Sequence, residues 1–538
     1  MLRLSLKDLR DAEKWEKSGF ELPRFDFETV ARNTRERPAW LHFGTGNIFR
    51  GYVARLQQDL LNEGRTNTGI LAAEAFDPEI IDRIYIPYDN LSLAVVMDPA
   101  GNFRKIVVAS IAEGLHGTPE NRADWERLRE IMTMPSLQMV SFTITEKGYG
   151  LTALSGGYLP EVRRDMESGP GEPRNMMAKA AALAYRRYSA GRLPIAFLSL
   201  DNCAHNGEKL ENAVKTIARA WVEKGLAGAE FLDYLNDRET VTFPWSMIDK
   251  ITPRPSEKVG KYLSGLGFAD TEIICTAKRT YIAPFVNTEE TEYLVIEDRF
   301  PNGRPPLERA GVIFTDRETV EKTERMKVTA CLNPLHTTLA VYGCLLGYHT
   351  IAEEMRDPQL KKLVERVGYA EGMPVVTDPG IIRPEEFIRT VIEKRLPNPY
   401  IPDTPQRIAT DTSQKLAIRF GETIRAYCEH PELDVRSLTF IPLVLAGWLR
   451  YLLAVDDSGE AIEISADPML GQLRGAMEGI VFGRPETADG KLKELLSNRR
   501  LFGVDLNEVG LGGKIENDFR EMISGPGAVR KTLVQYLR

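Results

Sequence analysis

A rhythm of short apolar runs and helical periods between residues 39 and 224 constrains this chain more than any other feature. The run AWLHF at 39–43 is strand-like, and the glycine turn GTGN at 44–47 follows it directly. From 48 to 61 the apolar residues Ile48, Val53, Leu56, Leu60 and Leu61 recur at helical spacing. GILAAEAF, starting at Gly69, reads as a second strand, and LSLAVVMD and FRKIVVASI read as a hairpin turning at 99–102. A helix near 122–132, the strand LQMVSFTIT at 137–145, a helix near 175–189, the strand IAFLSLDN at 195–202 and a helix from about 207 to 224 continue the alternation. Strands that alternate with helices over short connections predict a parallel α/β sheet. Beyond about 300 the pattern changes to amphipathic helices, at 335–355, 358–369, 384–395, 412–429 and 435–454.

The first βα turn carries Gly44-x-Gly46, the context that a dinucleotide site requires. Small residues let the backbone approach a pyrophosphate, and the helix opening at Asn47 and Ile48 offers free N–H groups and a positive dipole end. The third glycine of the usual fingerprint is replaced by Phe49. Glu74 ends the second strand, where a carboxylate accepts hydrogen bonds from ribose hydroxyls and repels a 2′-phosphate, so NAD is expected over NADP. Asp77 could do the same work, and either acid could instead be a solvated loop residue. Thr145 and Glu146 end a further strand at the sheet edge where ligands gather in open α/β folds. The fold class is therefore α/β: an N-terminal Rossmann-type dinucleotide-binding domain over 1–295, with a polar surface arm or helix to about 37, and a mostly α-helical C-terminal domain over 296–538.

Composition narrows the partners. A formal charge of −8 argues against a broad nucleic-acid or anionic-membrane surface. The longest late apolar run, 441–449, is far short of the ~20 residues a membrane span needs. The N-terminus alternates charged and apolar residues and has no signal-peptide core. Five cysteines without a CxxC pair suit reduced thiols, so a cytoplasmic location is expected. The six histidines form no HxxxH or HxH spacing, and no metal site is expected.

Seven segments occur in order: TITEKGYG (143–150), SLDNCAHNG (199–207), VTFPWSMIDKITP (241–253), LVIEDRFPNGRPPLERAG (294–311), LNPLHTTLA (332–340), RLPNPY (395–400) and RIATDTSQK (407–415). Through them the chain resembles the long-chain mannitol dehydrogenase and fructuronate reductase family of polyol-specific dehydrogenases, over roughly residues 40–530. The resemblance implies NAD(P) chemistry without a metal. It implies Lys327 as the catalytic lysine, Asn333 and His336 as its asparagine–histidine motif, and Asn202 as the second asparagine. Arg407 and Lys415 match positions where the family binds substrate oxygens, and Asp249 matches a position near the catalytic lysine. The chemistry is coherent: hydride delivery to a ketone builds negative charge on oxygen, which needs donors and then a proton. Asn333 before Pro334 also reads as a helix cap, and Lys327 or His336 taken alone as an ordinary surface or core residue.

Two departures from the family carry structural expectations. The interval from Lys327 to Asn333 is one residue longer than the family's, and on a regular helix one residue rotates a side chain by ~100°. Because Pro334 cannot donate to the carbonyl of Ala330, a helix break or wide turn near 328–334 is expected to absorb the insertion. The longer stretch at 276–293 is expected to reshape the substrate mouth. A Tyr-x-x-x-Lys pair is absent, which removes the short-chain mechanism. The expected activity is NAD(H)-dependent interconversion of D-fructuronate and D-mannonate. Mannitol or arabinitol 2-dehydrogenase, tagaturonate reductase and a non-catalytic NAD-binding paralogue stand as alternatives.

Overall fold

The computed structural model describes residues 1–153 and 156–537 and divides into two compact units, Met1–Glu321 and Lys322–Arg538. In the first unit a six-stranded sheet is parallel throughout. Its strands are β1 (Trp40–Phe43), β2 (Ile70–Glu74), β3 (Ile111–His116), β4 (Met139–Phe142), β5 (Ile195–Ser199) and β6 (Val241–Thr242). They lie in the order β3-β2-β1-β4-β5-β6, which is the order of doubly wound dinucleotide-binding sheets.

Alternation along the strands feeds two cores. Leu41, Phe43, Val140, Phe142 and Phe197 face a cluster that includes Trp125, Leu183 and Trp221 from the helices Arg122–Thr133, Met176–Ser189 and Asn206–Glu223. Trp40, Ala72, Met139, Ala196 and Leu198 face the opposite cluster, which holds Val53, Leu56 and Leu60 of the segment after the glycine turn. Burial on both faces is why these strands read as continuous apolar runs.

A second sheet contains the expected hairpin, Ser92–Met97 antiparallel to Phe103–Val108, flanked by Phe285–Glu289 on one side and Phe20–Glu21 on the other. The N-terminal segment holds the helices Ala12–Lys17 and Phe27–Glu36, and it is anchored to this sheet rather than a free arm. Its short strand pairs with the hairpin, and Trp15, 0% exposed, packs edge-on against Phe20 and Phe268. A third sheet joins Ser246–Asp249, Tyr293–Glu297 and Ile313–Thr315, which carries the first unit past residue 295.

The second unit is helical. The helices Asn333–Leu346 and Phe440–Tyr451 are buried nearly all round. Glu371 accepts from the first backbone N–H groups of the latter, at Thr439, Phe440 and Ile441. The helix expected over 335–355 stops at Gly347, whose φ of 77° only glycine adopts cheaply, and restarts at Thr350 with a capping box. Wide π-type turns interrupt the helices at Lys327–Cys331, Arg366–Gly372, Val391–Arg395 and Ala417–Gly421. Among the described residues, no helix is long and apolar enough to cross a membrane.

Candidate active site

In the first unit the glycine turn is held from three sides. Gly44 has φ +101°, and a Cβ there would lie 2.1 Å from the carbonyl oxygen of Thr143, so only glycine fits. Beneath the turn, His42 stacks on Phe49 at 4.1 Å and its Nε2 lies 3.0 Å from the Gly44 carbonyl. A carbonyl only accepts, so Nε2 carries the proton and Nδ1 accepts from the Ser141 hydroxyl at 2.7 Å. Burial pushes the ring down to about 3, which keeps it neutral. Beside the turn, Tyr85 donates to the Thr45 carbonyl at 3.0 Å.

The third support is Glu74, 5% exposed. Its Oε2 accepts from the Thr45 N–H (2.9 Å) and hydroxyl (2.8 Å), and its Oε1 from the N–H groups of Phe76 (2.8 Å) and Asp77 (3.0 Å). A carboxylate has about four acceptor positions. All of them are engaged, so in this geometry Glu74 braces the turn and has none left for a ribose. Asp77 is buried too, and accepts from the Thr276 hydroxyl at 2.7 Å.

The residues present fit a dinucleotide at the turn itself. A Cβ at Gly46 would meet nothing within 4 Å, so the backbone there is open to close approach. The helix begins at Asn47 and Ile48, where N–H groups lack intrahelical acceptors. Asn47 is oriented by donating to the Pro253 carbonyl (3.3 Å) and accepting from Arg50 (3.1 Å). Thr145, with φ 62°, is held at the end of β4 by Asp201, whose carboxylate accepts from Ile144 N, Thr145 N and the Tyr149 hydroxyl at 2.6–2.9 Å. Glu146 is exposed and pairs with Lys209. Asn202 is exposed in the loop after β5, and Asp249 is buried at the end of its strand.

The 276–293 stretch does not form one excursion. Its end, Phe285–Glu289, is a sheet strand, and its start is a hairpin turn against the loop after β2. There Ala277 N donates to Glu79 at 2.9 Å, and the Lys278 ammonium sits 4.4 Å from the Phe76 ring. The insertion thus packs at the carboxyl end of β2, the ribose side of such sheets.

In the second unit Lys327, 1% exposed, opens the wide turn Lys327–Cys331. The Leu332 N–H reaches back five residues to the Lys327 carbonyl at 3.1 Å, and Leu332 itself leaves helical geometry at φ −134°. The expected break is present as a wide turn, the kind of helix interruption that can accommodate one added residue. Asn333 is the first helical residue with Pro334 behind it, and no side chain caps this helix. Among the described residues neither the Asn333 amide nor the His336 ring makes a side-chain hydrogen bond, so both remain available.

Cations crowd His336. Burial pushes its ring down to about 4, and Arg395, Arg419 and Arg407 add to this against Asp403. Arg407 is exposed and spends its guanidinium on Asp403. Lys415 donates to the carbonyls of Thr410 and Ile408, and burial lowers it to about 8. Arg419 was not legible as a site residue. Its signal was only a basic position four residues after Lys415.

Residues 38–309 match the mannitol dehydrogenase Rossmann domain, and residues 319–523 match the mannitol dehydrogenase C-terminal domain. The chain is 58% identical over 534 residues to D-mannonate oxidoreductase of Thermotoga maritima, covering 99% of this chain and 98% of that one. It is 30% identical over 487 residues to mannitol 2-dehydrogenase of Neosartorya fischeri, covering 89% of each. Its fold is like that of Pseudomonas fluorescens mannitol 2-dehydrogenase, solved as a ternary complex with NAD and D-mannitol, with a TM-score of 0.72, 24% identity and 99% of each chain covered. A doubly wound first unit, a helical second unit and matches to both family domains in order place this chain in the mannitol dehydrogenase family.

Proposed function

We propose that this chain interconverts D-fructuronate and D-mannonate with NAD(H). The observation that carries the reading is the 58% identity, over almost the whole length, to a protein called D-mannonate oxidoreductase. The chain is an oxidoreductase, and mannitol dehydrogenases are its more distant relatives. Gly44, Gly46, Asn47 and Ile48 would hold the pyrophosphate on open backbone and a helix start. Glu74 and Asp77 shape the ribose end through the loops they brace, and Thr145 and Glu146 border the carboxyl edge of the sheet. When bound, the nicotinamide supplies or takes up the hydride at the substrate carbon.

The chain's own residues manage charge and proton. In the reductive direction the Asn333 amide donates to the carbonyl oxygen as negative charge develops there, and it does so without titrating. Lys327 gives that oxygen its proton, and in the oxidative direction its neutral amine takes the proton back. His336, kept neutral by burial and by the arginines around it, orients a hydroxyl. Arg407 and Lys415 bind substrate oxygens. For Asn202 and Asp249 we propose a second amide donor and a carboxylate in the proton path, on the strength of their motifs SLDNCAHNG and VTFPWSMIDKITP. Five cysteines without a CxxC pair suit a reducing cytoplasm.

The test is NADH oxidation by the purified protein with D-fructuronate, D-tagaturonate and D-fructose in parallel. The reading expects kcat/KM for D-fructuronate at least roughly tenfold above the other two, a discrimination worth about 1.4 kcal/mol. Preference for D-tagaturonate or D-fructose would reassign the substrate, and no turnover with any of the three would remove the reading.

A further inference from the structure

The geometry points to Arg419, assisted by Lys415, as the group that receives the carboxylate of a sugar-acid substrate. This rests on the proposed reading that the second unit's Asn333–His336 face binds a sugar-type substrate. Among the described residues no carboxylate pairs with Arg419, whereas Arg407, Arg425, Arg325 and Arg530 of the same unit pair with Asp403, Glu422, Glu422 and Asp357. Lys415 donates only to backbone carbonyls, and its acidic neighbour Asp467 is occupied by the Ser413 N–H and hydroxyl.

Position supports the assignment. Arg419 lies on the wide turn Ala417–Gly421, four residues after Lys415, and its N–H donates to the Lys415 carbonyl at 2.9 Å. Its Nη1 donates to the Thr337 hydroxyl at 2.5 Å, and that hydroxyl donates to the Asn333 carbonyl at 3.1 Å. The guanidinium is therefore tied to the first turn of the helix that presents Asn333 and His336, and among the described residues its other donors make no hydrogen bond. Burial alone lowers Arg419 to about 10, with no acidic neighbour to offset it.

Two half-buried cations one turn apart, neither in an ion pair with a carboxylate among the described residues, cost free energy that a bound carboxylate would return. A polyol carries no charge and would leave that cost in place. Arg407, exposed and already committed to Asp403, is the poorer carboxylate receptor.

The experiment uses the full chain with NADH, comparing Arg419→Gln and Arg419→Lys with the wild type. Turnover is read as the ratio of kcat/KM for D-fructuronate to that for D-fructose. Loss of one charge-assisted contact is expected to lower this ratio roughly 30-fold in the glutamine variant, with partial recovery in the lysine variant. A second arm measures binding of D-mannonate and of D-mannitol to the NADH-loaded protein by calorimetry, so that carboxylate capture is read even if no substrate turns over. Loss of the D-mannonate preference supports the assignment. An unchanged preference, or an equal loss of both ligands, would overturn it. If Arg419→Gln fails to fold, Lys415→Gln is read the same way, with roughly tenfold expected. A wild type that captures D-mannonate through Arg419 yet reduces no uronate would sink the proposed activity and leave this site standing.

Discussion

Glu74→Gln separates two roles that an acid at the end of β2 can play. Glutamine keeps one acceptor oxygen and converts the other to an NH2 group. Whichever oxygen is lost, two donors lose their acceptor: the Thr45 N–H and hydroxyl, or the Phe76 and Asp77 N–H groups. They would also face a new donor in a site 5% exposed, where water cannot readily replace the lost partner. Hydrogen bonds to a charged group contribute about 1.5–3 kcal/mol each. With some relaxation, the loss should come to about 3 kcal/mol. At about 2 °C per kcal/mol for a unit of this size, the melting point should fall by about 6 °C in the absence of cofactor. Five of the six tryptophans, Trp15, Trp40, Trp125, Trp221 and Trp245, lie in the first unit, so intrinsic fluorescence follows it well. A melting point unchanged within about 1 °C, together with NADH affinity lowered more than about tenfold, would refute the brace and return Glu74 to the ribose.

Gly44→Ala should cost more than about 2 kcal/mol, from positive φ and the 2.1 Å approach to the Thr143 oxygen, readable in urea unfolding. Gly46→Ala, with open space around its Cβ, should leave the urea midpoint unchanged and weaken NADH binding at least roughly tenfold; unaltered binding would move the pyrophosphate elsewhere. Lys415 is lowered from 10.5 to about 8, so its charge is present below that pH and lost as pH rises through it. The D-fructuronate to D-fructose ratio of kcat/KM should therefore fall about tenfold between about pH 7 and pH 9, and Lys415→Arg should abolish that limb. A flat ratio in the wild type would show that the Lys415 charge does not serve the carboxylate.

Much of the fold was legible because its strands are buried on both faces. AWLHF and LQMVSFTIT could hardly be anything else between helical periods, and the hairpin announced itself through its turn. The N-terminal segment misled because a few large residues, Trp15 and Phe20 among them, anchor an otherwise polar stretch to a sheet edge formed some eighty residues later. The break before Asn333 was legible from Pro334 and the long interval after Lys327. The other wide turns left no comparable mark.

Within the site, residue types were readable and their commitments were not. A strand-end glutamate looks the same whether its oxygens meet a ribose or Thr45, Phe76 and Asp77. Arg419 looks like any basic residue on an amphipathic helix until Thr337, 82 residues earlier, is seen to hold it. The longer 276–293 stretch could be recognised as an insertion, but its docking on the Phe76 loop depends on tertiary contacts that no local pattern encodes.

The central claim is that a buried lysine on a wide turn supplies the proton for ketone reduction. It is tested most directly by NADH-dependent reduction of D-fructuronate by Lys327→Ala, with NADH affinity measured on the same preparation. The account predicts turnover reduced at least about a thousandfold, in the range general acid catalysis supplies, with NADH affinity changed less than about threefold. Turnover retained within about tenfold of the wild type would contradict it, and would place the proton donor on another residue.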